Sequence, residues 1–434
     1  MKRFSTLITA VILSISHQAL GNTFKTEKWL TNNGVQVVFY QAMEVPMLDI
    51  SIAFAGGSAH DGNQYGLSAL TTHMINQGNS GKNATAIAEA LADTGSQFDA
   101  ETSRDMVTLS LRTLTRKEAL PQSITTFNQI INHPDFPDEA FEQEKKQLLM
   151  AIEQADESPD EIANIAFFQA LYKQHPYAHP VNGTKATMSA INKKQVIEFY
   201  KRYYVASNAV LVMVGAIDSP KAHQLAEQLT QDMPKGTPAT MVVKAAQLTK
   251  AEDIHIPFPS SQTIVRLGQI GIDHQNPNYF PLMVGNYILG GGALTSRLAI
   301  EVREKRGLTY GVSSQFTPMP GNGPFIISLS TKNNQATNAL KITQDTLRSF
   351  IDNGPNAQEL EAAKQYLTGS FPLSLASNRA IASLILRMAF YHLPDNYLDN
   401  YVAKINAVTI DEIKQAFKQQ VNPDKLLLVT VGRS

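Results

Sequence analysis

The chain is 434 residues long, with 43% apolar and 17% charged residues and a formal net charge of −1. That length accommodates two to three domains with full cores, and so even a charge balance gives no electrostatic reason to invoke nucleic acid or adsorption to an anionic membrane. No cysteine is present, which excludes a disulfide scaffold, thiolate metal ligands and a lipoprotein anchor together.

The first residues read as a targeting segment. Lys2 and Arg3 form a basic start, residues 4–16 are apolar but too short to span a bilayer, and Ala19-Leu20-Gly21 precedes a cleavage point before Asn22. Residues 1–21 are therefore expected to be a signal peptide, leaving a periplasmic protein with no stable membrane anchor.

Strands are expected over Gln36 to Tyr40 and Leu48 to Phe54, which run apolar or alternate. Helical spacing follows over Tyr65 to Gln77 and Thr85 to Thr94, and Met106 to Leu111 returns to strand. Ala190 to Gly215 then aligns without a gap on Ala407 to Gly432, at a constant offset of 217 residues. Each copy reads as an amphipathic helix, a turn and an apolar strand ending in Gly, the mark of a domain duplication rather than a short repeat. Residues 233–252, opening Met233-Pro234-Lys235-Gly236, form a linker between domains at about 23–232 and 253–434. In the second half, Thr263 to Gly271, a helix from Tyr279 to Leu289 and Phe325 to Ser330 repeat the plan. Strands grouped around helices, without strict alternation, predict an α+β fold.

Several pieces along the chain carry a resemblance. They are Gly56-Gly57-Ser58, the Tyr65 to Met74 segment, Gly95 to Ala100 with Asp105, and His175-Pro176-Tyr177-Ala178-His179-Pro180. In the second half they are Gly290-Gly291-Gly292, Ser296-Arg297-Leu298 and Arg303 to Tyr310. In this order and spacing the chain resembles the pitrilysin/insulinase family of zinc peptidases, whose inverted motif is H-x-x-E-H. The resemblance implies two homologous α/β-roll domains, mixed sheets flanked by helices, forming half of a clamshell that a second such chain completes around a peptide chamber.

Within that resemblance the metal site looks stripped. The motif's two His and one Glu share one helix face, so that the imidazoles hold zinc and the Glu takes a proton from bound water. Here those positions fall on Ala69, Thr72 and His73. The family's third ligand, a Glu on a later helix, falls on Ala151, with Glu144 or Glu153 as alternative registers. In any register too few ligands remain for a catalytic zinc, and Thr72 is no general base. His175 and His179 are four apart, but Pro176 and Pro180 argue against the helix that would pair them.

The Arg303 to Tyr310 segment is intact. In the family an Arg and a Tyr at this spacing reach toward the zinc site, the phenol to stabilise the oxyanion and the guanidinium to hold substrate carbonyls. Gly291 is grouped with the substrate-binding positions, as are Phe98, Asp99 and Ala100, where the family pairs a strand with the bound peptide; an ordinary sheet strand fits the Phe98 to Leu111 region equally well. The expected function is the non-zinc subunit of a heteromeric zinc metallopeptidase, binding no cofactor itself. Its partners would be a homologous H-x-x-E-H chain, which carries the zinc, and a peptide substrate. A non-enzymatic scaffold or peptide-binding homologue is the alternative, and a self-sufficient zinc peptidase is disfavoured by Ala69 and Thr72.

Overall fold

The computed structural model describes residues 24–433, so the expected signal segment, residues 1–21, lies outside the described residues. The first half contributes β1 (Thr26–Leu30), β2 (Gln36–Gln41), β3 (Met47–Phe54), a ribbon of β4 (Gly78–Asn79) and β5 (Lys82–Asn83), β6 (Gln97–Thr102), β7 (Val107–Leu114) and β8 (Ala209–Gly215). Apart from the ribbon these form a six-stranded sheet in the order β1-β2-β8-β3-β7-β6, in which β2 and β8 run parallel and the other neighbours antiparallel. The second half contributes β9 (Glu252–Pro257), β10 (Gln262–Ile270), β11 (Thr309–Phe316), β12 (Pro324–Lys332) and β13 (Leu427–Gly432). Their order is β11-β12-β10-β13-β9, with β9 and β13 parallel.

Reading the second sheet backwards, β9-β13-β10-β12-β11, reproduces the order and direction of β2-β8-β3-β7-β6. The correspondence extends to residues. The helices Lys193–Tyr203 and Ile410–Gln420 start 410 − 193 = 217 positions apart, and both open on a capping box, Asn192 with Gln195 and Thr409 with Glu412. Each box satisfies two backbone donors that the first turn leaves free.

The halves embrace by exchanging equivalent helices. The Pro159–Tyr172 helix of the first half lies on β10 and β13 of the second, where Phe167, Phe168 and Leu171 join Ile264, Leu427 and Val429 in one core. Reciprocally, the Asn378–Phe390 helix lies on β3 and β8, packing Ile381, Ile385 and Leu386 against Val38, Val210 and Val212. Both central strands are thereby covered on two faces, which is why they read as continuous apolar runs rather than alternating ones. At the seam, buried Asp105 accepts hydrogen bonds from the hydroxyls of Tyr177 at 2.5 Å and Tyr391 at 3.1 Å, one from each half.

Three elements differ from the sequence expectation. The first helix occupies Leu67–Met74 rather than Tyr65 to Gln77, because Gly66 takes a left-handed φ of 94° that ends helical propagation toward the N-terminus. The Phe98 to Leu111 region is a hairpin of β6 and β7 rather than one strand. The helix expected to reach Leu289 is α-helical over Tyr279–Asn286 and then widens into a π-helical turn, Tyr287–Gly291.

Candidate functional site

The Leu67–Met74 helix starts on a buried carboxylate. Asp61 accepts from the backbone N–H groups of Gly66 and Ser68, both at 2.8 Å, and so fixes the helix's first turn. Burial pushes the Asp61 carboxyl up to about 8, against the pull of those two donors.

Thr72 sits at the general-base position of the motif and is buried. Its hydroxyl donates to the Ser68 carbonyl at 2.9 Å, and faces the Tyr204 hydroxyl at 3.0 Å and the Thr102 hydroxyl at 2.7 Å. One donor and two lone pairs are all that a hydroxyl offers, and here all three are engaged. Burial raises the Tyr204 phenol, so neither group moves protons near neutral pH. Ala69 is buried as well and offers only a methyl group. His73 is the one exposed member of the triplet, its Nδ1 lying 3.3 Å from Oε2 of buried Glu144. Of the three candidate positions on the Asp138–Asp156 helix, Glu144 is the carboxylate that meets His73. Ala151 lies on the exposed part of that helix, and Glu153 pairs with Lys185 at 2.6 Å.

This donor set does not fit a catalytic zinc. One imidazole and one carboxylate fall short of three protein ligands, and no cluster of three metal-binding side chains occurs among the described residues. His175 and His179 do not repair the deficit. His175 lies 2.7 Å from the Val243 carbonyl through Nε2, and His179 stacks on Tyr65 with ring centroids 4.3 Å apart. Both are packing residues of the loop that carries Tyr177 into the seam.

β6 is the outer strand of its sheet, so Phe98, Asp99 and Ala100 stand on an open backbone edge. Phe98 turns inward onto Phe127, Asp99 is exposed, and Thr102 at the strand's end ties this edge to the motif helix through Thr72.

The second-half segment is built on irregular backbone. Arg303 belongs to a π-helical turn, Ala299–Glu304, anchored by buried Val302 and Leu298. The chain reverses through Gly307, whose left-handed φ of 62° suits glycine, with the Gly307 N–H donating to the Arg303 carbonyl at 2.8 Å. Tyr310 lies in a bulge of β11, where the register on β12 shifts between Thr309 and Val312. A bulge of this kind turns a side chain away from the ladder's regular alternation. Thr309 holds it, donating through its hydroxyl to the Ser330 carbonyl at 2.6 Å and accepting from the Gly311 N–H at 3.1 Å.

The neighbouring cations pair with Glu301 and Glu359 and leave Arg303 out. Glu301 takes Lys305 at 2.6 Å and Arg306 at 2.7 Å, and these partners hold its carboxyl below the usual range. Arg297 forms a two-pronged pair with Glu359, both contacts at 2.6 Å. Arg303 has no ion pair or side-chain hydrogen bond among the described residues, and Tyr310 is 83% exposed with its hydroxyl equally free. Beside them, Gly290 lies so close to β11 that an added Cβ would stand 2.4 Å from Ser314 Oγ, whereas Gly291 is exposed. The glycine run thus lets the π-helical turn and the Tyr310 strand meet.

Sequence reasoning missed Asp61, Thr102 and Tyr204. Asp61 carried a signal, an Asp-Gly-Asn turn just before a helical pattern. Tyr204 carried none, because adjacent Tyr203 reads identically.

Comparison with known proteins agrees with this picture. Residues 37–185 match the insulinase family, peptidase M16, and residues 190–367 match the peptidase M16 inactive domain. The "Non-peptidase homolog YmxG" of Helicobacter pylori is 25% identical over 439 residues, covering 100% of this chain and 99% of the relative. An "Uncharacterized zinc protease YmxG" of Bacillus subtilis is 26% identical over 92% of this chain and 97% of its own length. The crystal structure of a peptidase M16 inactive domain from Pseudomonas fluorescens superposes with a TM-score of 0.92 at 37% identity, covering 94% of this chain and 98% of that one. A Helicobacter pylori protease shares the fold at a TM-score of 0.87 and 18% identity, over 94% and 99% of the two chains. With 37% identity over nearly its whole length to a structure of that family, the chain belongs to the insulinase family, peptidase M16, with Ala69 and Thr72 at two positions of its motif.

Proposed function

We propose that the chain is the non-zinc subunit of a heteromeric zinc metallopeptidase of the periplasm. It works by lending Arg303 and Tyr310 to a homologous partner that carries the complete H-x-x-E-H helix. The observation that carries this reading is the pair's freedom: in a segment where every other arginine and lysine is paired, Arg303 and Tyr310 have no internal partner and stand on backbone shaped to display them. In the shared site the Tyr310 hydroxyl would donate to the oxyanion of the peptide bond under attack and the Arg303 guanidinium would hold a neighbouring peptide carbonyl, while the partner's zinc would supply the activation of water. The open edge of β6 offers main-chain hydrogen bonds to an extended substrate.

A scaffold or peptide-binding role is the second reading. It is favoured by the saturated hydroxyl network at Thr72, which shows a motif helix serving as core. One experiment separates the two. The tagged chain is purified from its native source, the homologue that accompanies it is identified, and the two are mixed with a quenched fluorescent peptide. Activity that needs both chains, and is lost when this one carries Arg303→Ala with Tyr310→Phe, supports the subunit reading. Full activity with the doubly substituted chain moves the scaffold reading to first place.

A further inference from the structure

Between the two halves lies a cavity of about 560 Å³, walled by Leu30, Val210, Val242 and Phe390 on its apolar side and by Asn208 and His274 on its polar side. A volume of this order is typical of a small ligand site. One wall is the segment that connects the halves.

Residues 237–248 run without helix, strand, turn, bend or positive φ, so this wall carries its backbone past the cavity without sharp reversals. It is pinned at both ends. Arg202 donates to the carbonyls of Thr237 and Pro238 at 2.6 Å and 3.2 Å, and the Ala239 N–H donates to Asn208 Oδ1 at 2.6 Å. At the far end His175 holds the Val243 carbonyl at 2.7 Å, and the Ala245 N–H donates to the Gly321 carbonyl at 2.8 Å. Between the pins, the N–H and carbonyl groups of Thr240, Met241 and Val242 have no partner among the described residues.

The side chains here are those of a strand. Thr240, Val242 and Val243 favour extended structure, yet Met241 is 91% exposed and Val243 68%. An apolar, immobilised strand with unpaired backbone is a template for another chain. Around the cavity, Asp105 accepts from Tyr177 and Tyr391, and Lys244 pairs with Asp273 at 2.8 Å. Burial, together with Arg387, holds the His274 imidazole down to about 4, so it is neutral near pH 7. The apolar walls of Leu30, Val210, Val242 and Phe390 suit an uncharged apolar side chain.

We propose that this wall is a peptide-binding site, where an extended peptide pairs with the backbone of Thr240 to Val242 and seats an uncharged apolar side chain in the cavity. It stands apart from the Arg303 to Tyr310 segment and needs no partner subunit.

The test uses the full mature chain and an end-blocked, fluorescein-labelled Ser-Val-Leu-Val-Ser peptide, with binding read by anisotropy and backbone protection by hydrogen exchange. Saturable binding should slow exchange at residues 240–242 at least tenfold. Methylating alternate peptide nitrogens should weaken binding at least tenfold in one of the two registers. Val242→Pro, which removes one N–H from the wall while suiting extended backbone, should weaken it comparably, and Val242→Ala, which keeps the N–H, should weaken it less. Binding that ignores methylation and Val242→Pro would mark a site for any apolar amphiphile and overturn the proposal. So would unchanged exchange at residues 240–242, or protection that grows with protein concentration in the absence of peptide, which would assign the wall to a second copy of this chain.

Discussion

The Leu67–Met74 helix and the Ala299 to Phe316 segment occupy the two halves of one duplicated chain and treat polar side chains in opposite ways. On the helix, Thr72 uses every hydrogen-bonding position it has, Ala69 is packed, and only His73 reaches outward. In the segment the neighbouring charges are consumed by Glu301 and Glu359, while Arg303 and Tyr310 are left with nothing to hold. A buried hydroxyl needs partners because leaving it unpaired costs free energy. The exposed Tyr310 phenol loses nothing by waiting for water or a ligand, and the half-buried Arg303 guanidinium needs no internal partner where water reaches it. The contrast is between a motif helix whose polar groups are satisfied within the core and a segment whose Arg303 and Tyr310 side chains have no partner among the described residues.

The largest expected effect falls on the motif helix. Thr72→Val would leave the buried Tyr204 hydroxyl and the half-buried Thr102 hydroxyl without their shared partner and should destabilise the fold by about 1–3 kcal/mol for the Tyr204 hydroxyl, with less from Thr102. Urea unfolding would measure it, and an unchanged midpoint would mean that water reaches the network. Tyr204→Phe should cost less, since Thr72 keeps its donor bond to Ser68.

In the Arg303 to Tyr310 segment the same measurement should show little, because Tyr310 is 83% exposed and half-buried Arg303 has no ion pair or side-chain hydrogen bond to lose. The effect appears in catalysis with the zinc-bearing partner present. Tyr310→Phe should lower turnover by about a hundredfold, the usual scale for removing one oxyanion donor. Arg303→Ala should lower kcat/KM by about tenfold to a hundredfold and raise KM as well, because a main-chain anchor acts in both ground and transition states. If either substitution lowered stability more than Thr72→Val, the comparison would be reversed.

Much of the fold was legible before the structure. The offset of 217 residues is met by two capped helices and two apolar strands, because each copy must make the same turn into the same sheet position. The exchange of the Pro159–Tyr172 and Asn378–Phe390 helices was not legible, since an apolar helix face does not say which sheet it will cover. At the site, the loss of motif ligands is a matter of residue type and could be read directly. That Arg303 alone escapes pairing could not be read, because a run of Arg-Glu-Lys-Arg looks uniformly solvated until Glu301 is seen to reach Lys305 and Arg306.

A pH-dependent effect concerns the anchor of the motif helix. Burial lifts Asp61 from 3.8 to about 8, so the folded chain binds this proton more tightly than the unfolded one does. The resulting stabilisation is full below about pH 4 and is lost as the pH rises through about 8. Thermal unfolding across that window should therefore show Tm falling with pH in the parent, and a shallower fall in Asp61→Asn. Parallel curves would mean that the two backbone donors keep the carboxylate ionised throughout.

The division of labour itself is tested most directly by metal and peptidase measurements on this chain alone, on its H-x-x-E-H partner alone, and on their mixture. The account predicts far less than one zinc per chain here and no chelator-sensitive cleavage by this chain by itself. Full activity should appear as the mixture reaches one to one, with the zinc confined to the partner. Stoichiometric zinc in a homogeneous preparation of this chain, together with cleavage that a chelator abolishes, would contradict it.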